Sequence, residues 1–307
     1  MLSTVRPPAG LLSLGSDVPY DTPVPFDIEW VVLTMGDRGA ALDAAVRSLL
    51  TDGRVGVVVV SNGGGEIPVP DDPRVRLVVA PENLGVPGGR DVGLARCSAP
   101  IVGFLDDDAV AEPSASSRVL DEFALSPTLG AVSLRLVDEA ARSARRHVPR
   151  PRGSSPEVSG DVALFLGGAS AIRVEAYSVV GGYFTELFYG HEEVEMCWRL
   201  VDAGWRIRYL ADVTVFHPRT DIGRHASGWR LTGRNRVWVA RRTLPWPVAL
   251  VHVAVWLLLG VTRAPDSDAR RSYVNGWLEG WRSRIERRPI GWAGVWRLTR
   301  LGRPPVI

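Results

Sequence analysis

The chain has 307 residues, enough for one large α/β domain or for one domain with a smaller appendage. Its net charge of +2 argues against a nucleic-acid partner, and every Lys/Arg-type base in it is Arg. Two cysteines, Cys97 and Cys197, make neither a disulfide framework nor a metal cluster, so buried free thiols in a reducing compartment are expected.

Residues 1–25, rich in Pro, Gly and Ser, read as an irregular leader. No basic stretch followed by a long apolar run opens them, so no signal peptide is expected. Residues 28–34 predict a strand. Residues 40–50 predict a helix, with Leu42, Val46, Leu49 and Leu50 spaced for one face. Strands follow at 55–60, almost pure Val, and at 74–79; a helix is expected at 88–97. Residues 101–105 read as a buried parallel strand, short and apolar without alternation. Strands alternating with helices imply a mostly parallel sheet with right-handed crossovers. Residues 138–160, rich in Arg, Pro, Ser and Gly, read as a mobile surface loop. Structure is expected to resume at 162–166 and to continue through Tyr209 and 213–216. There is no internal repeat.

The C-terminal third differs. Ten of the eleven Trp lie from Trp198 onward. Residues 244–262 carry no Asp, Glu or Arg, and His252 is their one ionisable side chain. Nineteen residues approach the length of a membrane span, but Pro245 and Pro247 interrupt the start. About 14–15 residues of helix remain, which favours a buried or interfacial helix over a span. Beyond it, Trp277, Trp281, Trp292 and Trp296 lie among Arg282, Arg284, Arg287, Arg288 and Arg297. Trp prefers the lipid headgroup level and Arg is drawn to anionic lipid, so membrane association is expected. The plain alternative is a solvated helix pair resting on the main domain.

Three carboxylates, Asp106-Asp107-Asp108, stand directly behind the strand at 101–105. Ligands bind open α/β sheets outside the carboxyl ends of their strands. Clustered carboxylates repel unless a proton or cation intervenes, and Mg²⁺ takes one or two carboxylates together with substrate phosphates. An acidic turn is the alternative. Ser61-Asn62-Gly63-Gly64 and the segment Asn83 to Asp91, which includes Arg90, also follow predicted strands. In a parallel sheet these ends converge on one crevice, where Gly lets backbone approach a ligand and Arg90 can bond a phosphate. Glu192 and Glu193 open a helix on which Met196 and Leu200 face the core. They read either as first-turn helix acids or as a general base. His217 ends the strand at 213–216 and reads either as structural or as an imidazole metal ligand.

The order Leu33-Thr34, Val60 to Gly63, Asn83 to Arg90, Phe104 to Asp108, Gly167-Gly168-Ala169, Gly181-Gly182-Tyr183, Gly190 to Arg199, Gly204-Trp205 and His217 resembles the inverting family 2 glycosyltransferases. The likeness covers about residues 28–220. It implies the α/β GT-A fold, a Rossmann-like, mostly parallel sheet with flanking helices, plus a C-terminal helical membrane-associating extension. The expected division is a leader at 1–25, a catalytic domain at 26–225 and an Arg/Trp-rich region at 226–307. Arg234-Asn235-Arg236 before the proline-broken stretch resembles members that build bacterial cell-wall glycans or lipid-linked saccharides, including rhamnosyltransferases.

The resemblance also implies roles. Asp106 and Asp108 match the Asp-x-Asp motif that holds Mn²⁺ or Mg²⁺ on the donor diphosphate, with His217 as a further metal ligand. Thr34, Ser61, Asn62, Asn83, Arg90, Asp106, Asp107, Gly167 and Gly168 fall in the nucleotide-sugar site, with Asp107 turned towards ribose. Glu193 matches the general base, with Glu192 its rival. Ser61 stands where the family has Asp, Asp91 where Asn is common, and Glu193 where the base is Asp. The implied partners are a nucleotide-diphosphate sugar, a glycan or polyprenyl-linked saccharide and a membrane surface. The implied location is the cytoplasmic face of the cell membrane. A sugar nucleotidyltransferase and a degenerate membrane-bound scaffold are the competing readings.

Overall fold

A computed structural model describes residues 26–51, 53–144, 148–149, 155–218 and 228–306. The expected leader, parts of the loop at 138–160 and the boundary at 225/226 fall outside them. The first half builds β1 (Ile28–Thr34), α1 (Gly39–Leu49), β2 (Val55–Ser61), β3 (Val75–Val79), α2 (Gly85–Leu94) and β4 (Ile101–Asp106). These four strands lie parallel in the order β3-β2-β1-β4. Val58 and Val60 join a hydrophobic cluster on one face of the sheet, and Val57 and Val59 join one on the other. A strand alternates its side chains between faces, and here both faces are covered, which is why the run is Val throughout.

The second half adds β5 (Val110–Ala111), α3 (Ala115–Leu125), β6 (Leu129–Val137), β7 (Gly160–Asp161), β8 (Ala169–Arg173), α4 (Val174–Val180), α5 (Glu192–Asp202) and β9 (Arg206–Phe216). β8 enters between β4 and β6, antiparallel to both. β9 runs parallel to β6 and carries β5 and β7 antiparallel. The sheet is therefore parallel in its first half and mixed in its second. Residues 162–166, where structure was expected to resume, form no strand. They are an irregular segment with Val162, Ala163 and Phe165 buried, held by bonds from the Leu166 N–H to Ser133 Oγ (3.1 Å) and from the Phe165 N–H to Cys197 Sγ (3.4 Å). α2 begins three residues before the expected start. Asn83 Oδ1 accepts from the Gly85 N–H at 2.9 Å, and Gly85 has φ +70°, so the Asn83 side chain and a glycine turn set the entry.

Four helices close the chain: α6 (Gly228–Thr243), α7 (Trp246–Arg263), α8 (Ser267–Arg282) and α9 (Trp292–Arg300). α7 has 18 residues rather than 14–15, because Pro247 sits in its first turn, where a missing N–H costs nothing. Val237, Val239, Leu244, Ala249, Val253 and Leu298 from these helices share a hydrophobic cluster with Val31, Phe104 and Met196. The C-terminal region therefore packs on the core of the sheet. A Cβ on Gly276 would overlap the Arg230 carbonyl, and one on Gly233 the Tyr273 carbonyl, so α6 and α8 meet backbone to backbone.

A buried ion cluster ties α5 to α6. Glu195 is fully buried and accepts from Arg199 Nε at 2.9 Å and from Arg242 Nε at 3.1 Å. Arg199 also donates to the carbonyls of Val180 and Gly182, so its charge is well satisfied. Removing one partner of such a cluster strands buried charge. Glu195→Ala is expected to lower the unfolding free energy by about 3–5 kcal/mol, read from urea denaturation. A loss below about 1 kcal/mol would show that the cluster is not a structural tie.

Candidate active site

The register of the sheet sets the site. Thr34 lies level with Ser61 on β2, and Leu33 with Asp106 on β4. Three strands thus end together, and the carboxylates emerge at that rim. The Thr34 hydroxyl donates to Asp107 Oδ2 at 2.6 Å, turning Asp107 into the wall. Arg38, at the start of α1, donates to Asp107 Oδ1 (3.1 Å) and Asp108 Oδ2 (2.5 Å). Arg38 was not singled out from the sequence. It is one of 36 Arg, and only the fold brings it to the acidic turn.

Ser61 and Asn62 are buried and use their polar atoms within the chain. Ser61 Oγ donates to the Gly65 carbonyl at 2.6 Å, closing the turn after β2. Asn62 Nδ2 donates to Asn83 Oδ1 (3.2 Å) and the Gly85 carbonyl (3.1 Å), and its Oδ1 accepts from the Leu84 N–H (3.0 Å). Asn62 and Asn83 therefore join the ends of β2 and β3 and shape the crevice wall.

His217 follows β9. Its Nε2 lies 3.3 Å from Asp108 Oδ1 and 3.5 Å from Asp106 Oδ2, and its Nδ1 is 2.8 Å from the Pro218 carbonyl. That carbonyl can only accept, so Nδ1 carries the proton of a neutral ring. The Nε2 lone pair then faces two carboxylates, an arrangement that calls for a proton or a cation between them. Burial opposes the charged ring, but the Asp106 bond and both carboxylate charges outweigh it and raise the His217 pKa. Burial likewise pushes Asp106 up, and His217 and Arg90 outweigh it to hold the carboxyl below its ordinary value. A hard divalent cation suits this donor set. Among the described residues, however, no group of three or more His, Cys, Asp or Glu side chains is arranged to hold a metal by itself. Arg38 and Arg90 already occupy carboxylate oxygens of Asp108 and Asp106. The three side chains expected to share a metal, Asp106, Asp108 and His217, come together at the rim, with some of their carboxylate oxygens bonded to Arg38 and Arg90.

Arg90 joins the two ends of the site. It is buried on α2, with Nη2 3.4 Å from Asp106 Oδ1 and Nη1 3.0 Å from Glu193 Oε1 and 3.8 Å from Glu192 Oε1. Gly167 and Gly168 make this convergence possible. A Cβ at Gly167 would overlap the Glu193 carboxylate and the Arg90 guanidinium, and one at Gly168 would overlap the Asp106 carboxylate. The loop before α5 is held from the C-terminal region. Asn235 is fully buried, and its Nδ2 donates to the carbonyls of Leu187 (3.0 Å), Tyr189 (2.9 Å) and Gly190 (2.9 Å). Phe188 and His191 in that segment have φ of 64° and 75°, which these bonds help to maintain. The sequence marked Arg234-Asn235-Arg236 only by resemblance; the structure gives Asn235 a physical task, positioning Glu192 and Glu193.

The family profile for Glycosyl transferase family 2 matches residues 31–180. Residues 31–180 carry a domain of this family. It is 29% identical over 254 residues to the "Pre-mycofactocin glycosyltransferase" of Mycobacterium tuberculosis, an alignment covering 78% of this chain. The chain spans about half the length of that relative (49%). Among solved structures it is similar to GalNAc-T7 with UDP, GalNAc and Mn²⁺ (TM-score 0.58, 13% identity, 83% of this chain and 55% of that one). It is also similar to a mannosyltransferase from Pyrobaculum calidifontis in complex with GDP-Man and Mn²⁺ (TM-score 0.51, 17% identity, 93% of this chain and 76% of that one). These likenesses show the GT-A fold. The profile stops before Glu192, Glu193 and His217, so geometry carries those three.

Geometry separates the two acids of the site. Glu192 is 4% exposed, and burial, reinforced by the neighbouring Glu193 charge, pushes its pKa up to about 8. Glu193 keeps 21% of its side chain exposed and bonds Arg90. Burial also pushes Asp91 up to about 7, against the Tyr183 backbone and the Arg199 charge. A raised carboxyl pKa makes the folded state hold a proton that the unfolded chain releases, so stability falls as pH rises from about 4.5 to about 8. Glu192→Gln removes that contribution. The variant is expected to gain on wild type as pH rises from 5 to 8, read from melting temperatures across that range. A difference that stays constant with pH would place Glu192 among ordinary ionised carboxylates.

Proposed function

We propose that this chain transfers a sugar from a nucleoside-diphosphate donor to a hydroxyl of a glycan or polyprenyl-linked saccharide, inverting the anomeric carbon, with Mn²⁺ or Mg²⁺. The observation that carries the reading is the single buried Arg90 guanidinium bonded both to Asp106 and to Glu193. It puts the carboxylates suited to a diphosphate and the carboxylate suited to a base in one crevice. The Mn²⁺ and nucleotide or nucleotide sugar named with the two solved relatives support the donor class.

Asp106, Asp108 and His217 would hold the cation, which would neutralise charge on the departing diphosphate. Glu193, partly open and held by Arg90, takes the proton of the acceptor hydroxyl as its oxygen attacks the anomeric carbon. The bond to the nucleoside diphosphate breaks in the same displacement and its electron pair leaves with the phosphate oxygen. Arg90 sits where that negative charge grows, held in place by Asp106, Glu193 and the face of Phe104 at 5.7 Å. Glu192, buried in the first turn of α5 with its pKa pushed up, is less suited to serve as the base. The intact set of Asp106, Asp108, Arg90 and Glu193 favours an active enzyme over a degenerate scaffold.

The test uses radiolabelled transfer together with calorimetric donor binding, on an acceptor panel containing polyprenyl-linked saccharides and pre-mycofactocin. Asp108→Ala is expected to abolish Mn²⁺-dependent donor binding and lower transfer about 100-fold or more. Glu193→Gln is expected to keep donor binding while turnover falls about 10²–10⁴-fold. Metal-dependent donor binding that survives Asp108→Ala would overturn the metal assignment. Undiminished turnover in Glu193→Gln would overturn the base.

A further inference from the structure

The charge of this chain is strongly divided. Residues 228–306 carry fifteen Arg against four acids, a net charge of +11, although the whole chain carries only +2. The same segment holds an apolar surface. On α7, Trp246, Leu250, Val251, Ala254 and Leu258 form one exposed stripe, with Leu250 53% and Leu258 66% exposed. The opposite side of α7 is buried through Ala249, His252, Val253 and Gly260. Tyr273 of α8 pins it there. The Tyr273 hydroxyl donates to the Trp256 carbonyl at 2.6 Å, and a Cβ on Gly260 would overlap its ring. The start of α7 carries a stacked Arg–Trp pair, Arg287 over Trp246 at 4.1 Å. A second apolar element is near the C-terminus. Trp292 and Trp296, one helical turn apart on α9, are 61% and 63% exposed.

We propose that this face is a docking surface for an anionic lipid bilayer, with α7 lying in the plane of the interface rather than crossing it. α7 is the one described helix long and apolar enough to span. Spanning is opposed by its neighbours. α6 and α8 are bound to each other backbone to backbone and to α7 by loops of two and three residues, and together they carry eight Arg. Threading α7 through hydrocarbon would draw those arginines in with it, which is prohibitive for so many charges. Lying flat, the helix buries only its outer stripe, and exposed arginines of the region such as Arg263, Arg270, Arg271 and Arg282 meet anionic phosphates at headgroup level. The exposed Trp246 at the start of α7 and Trp292 and Trp296 on α9 suit that depth. The inference rests on this surface alone and is independent of the transfer chemistry.

The experiment is co-flotation of the full chain with vesicles of phosphatidylcholine alone and of phosphatidylcholine mixed with phosphatidylglycerol. Binding is expected to the mixed vesicles, weaker by about tenfold or more to the neutral ones, and reduced by salt. Leu250→Glu/Leu258→Glu is expected to lose flotation while keeping wild-type melting temperature and nucleotide binding; both residues point to solvent and lie outside the site. Trp292→Ser/Trp296→Ser, which leaves α7 intact, is expected to weaken flotation independently. No flotation with phosphatidylglycerol vesicles would overturn the proposal. So would a double-Glu variant that floats as wild type, or a lipid-free dimer that this variant dissolves, which would make the stripe a contact between two copies. Resistance of the bound chain to alkaline carbonate extraction would overturn the in-plane orientation.

Discussion

A single buried cation organises this molecule. The Arg90 guanidinium rises from α2 beneath the rim of the sheet and meets Asp106, Glu193 and Glu192 at once. Burial works against its charge, and the Glu193 and Asp106 carboxylates outweigh it, so Arg90 stays charged. It draws together carboxylates that would otherwise repel, and it does so between an early strand and a late helix. Removing it would leave Asp106 and Glu193 facing each other across the crevice with no counter-charge.

The rest of the site is built to permit that meeting. Parallel β1, β2 and β4 end level, so Thr34, Ser61 and Asp106 come to one edge. β8 then enters antiparallel beside β4, and the loop before it is Gly167-Gly168 because any side chain there would occupy the space of Glu193, Arg90 or Asp106. From the other side, α6 reaches across through Asn235, whose amide gathers three carbonyls of the loop leading to α5. The C-terminal helices therefore do two things. They hold the loop that carries the two acids, and they bring a cationic, apolar surface onto the same core. The Glu195–Arg199–Arg242 cluster is the rigid link between those tasks.

Much of this was legible in the sequence where local chemistry decided it. The Val-rich β2 and the apolar run ending at Asp106 had to be strands buried on both faces, and the acids after β4 had to lie at a strand end. Gly167, Gly168, Arg90, Glu193 and His217 were marked by order and type, and the fold brings them to one crevice. What escaped was set at long range. Arg38 meets Asp107 and Asp108 across about 70 positions, and nothing local distinguishes it from other helix-start arginines. α3 and β6 carried no strong punctuation, and the antiparallel entry of β8 depends on neighbours far apart in sequence. Regular structure was expected to resume at residues 162–166, yet Ser133 and Cys197 already satisfy two of their N–H groups. Ser61 and Asn62 pointed to ligand recognition by position, but their hydrogen bonds are directed inwards.

The central claim is that Arg90 makes the carboxylates into one metal-assisted nucleotide site. Isothermal titration of UDP and GDP into wild-type protein and Arg90→Met, each with and without Mn²⁺ and each verified as folded by melting, tests it most directly. The account predicts Mn²⁺-dependent binding of one nucleotide class to wild type and its loss in Arg90→Met. Nucleotide binding indifferent to both Mn²⁺ and Arg90 would contradict it.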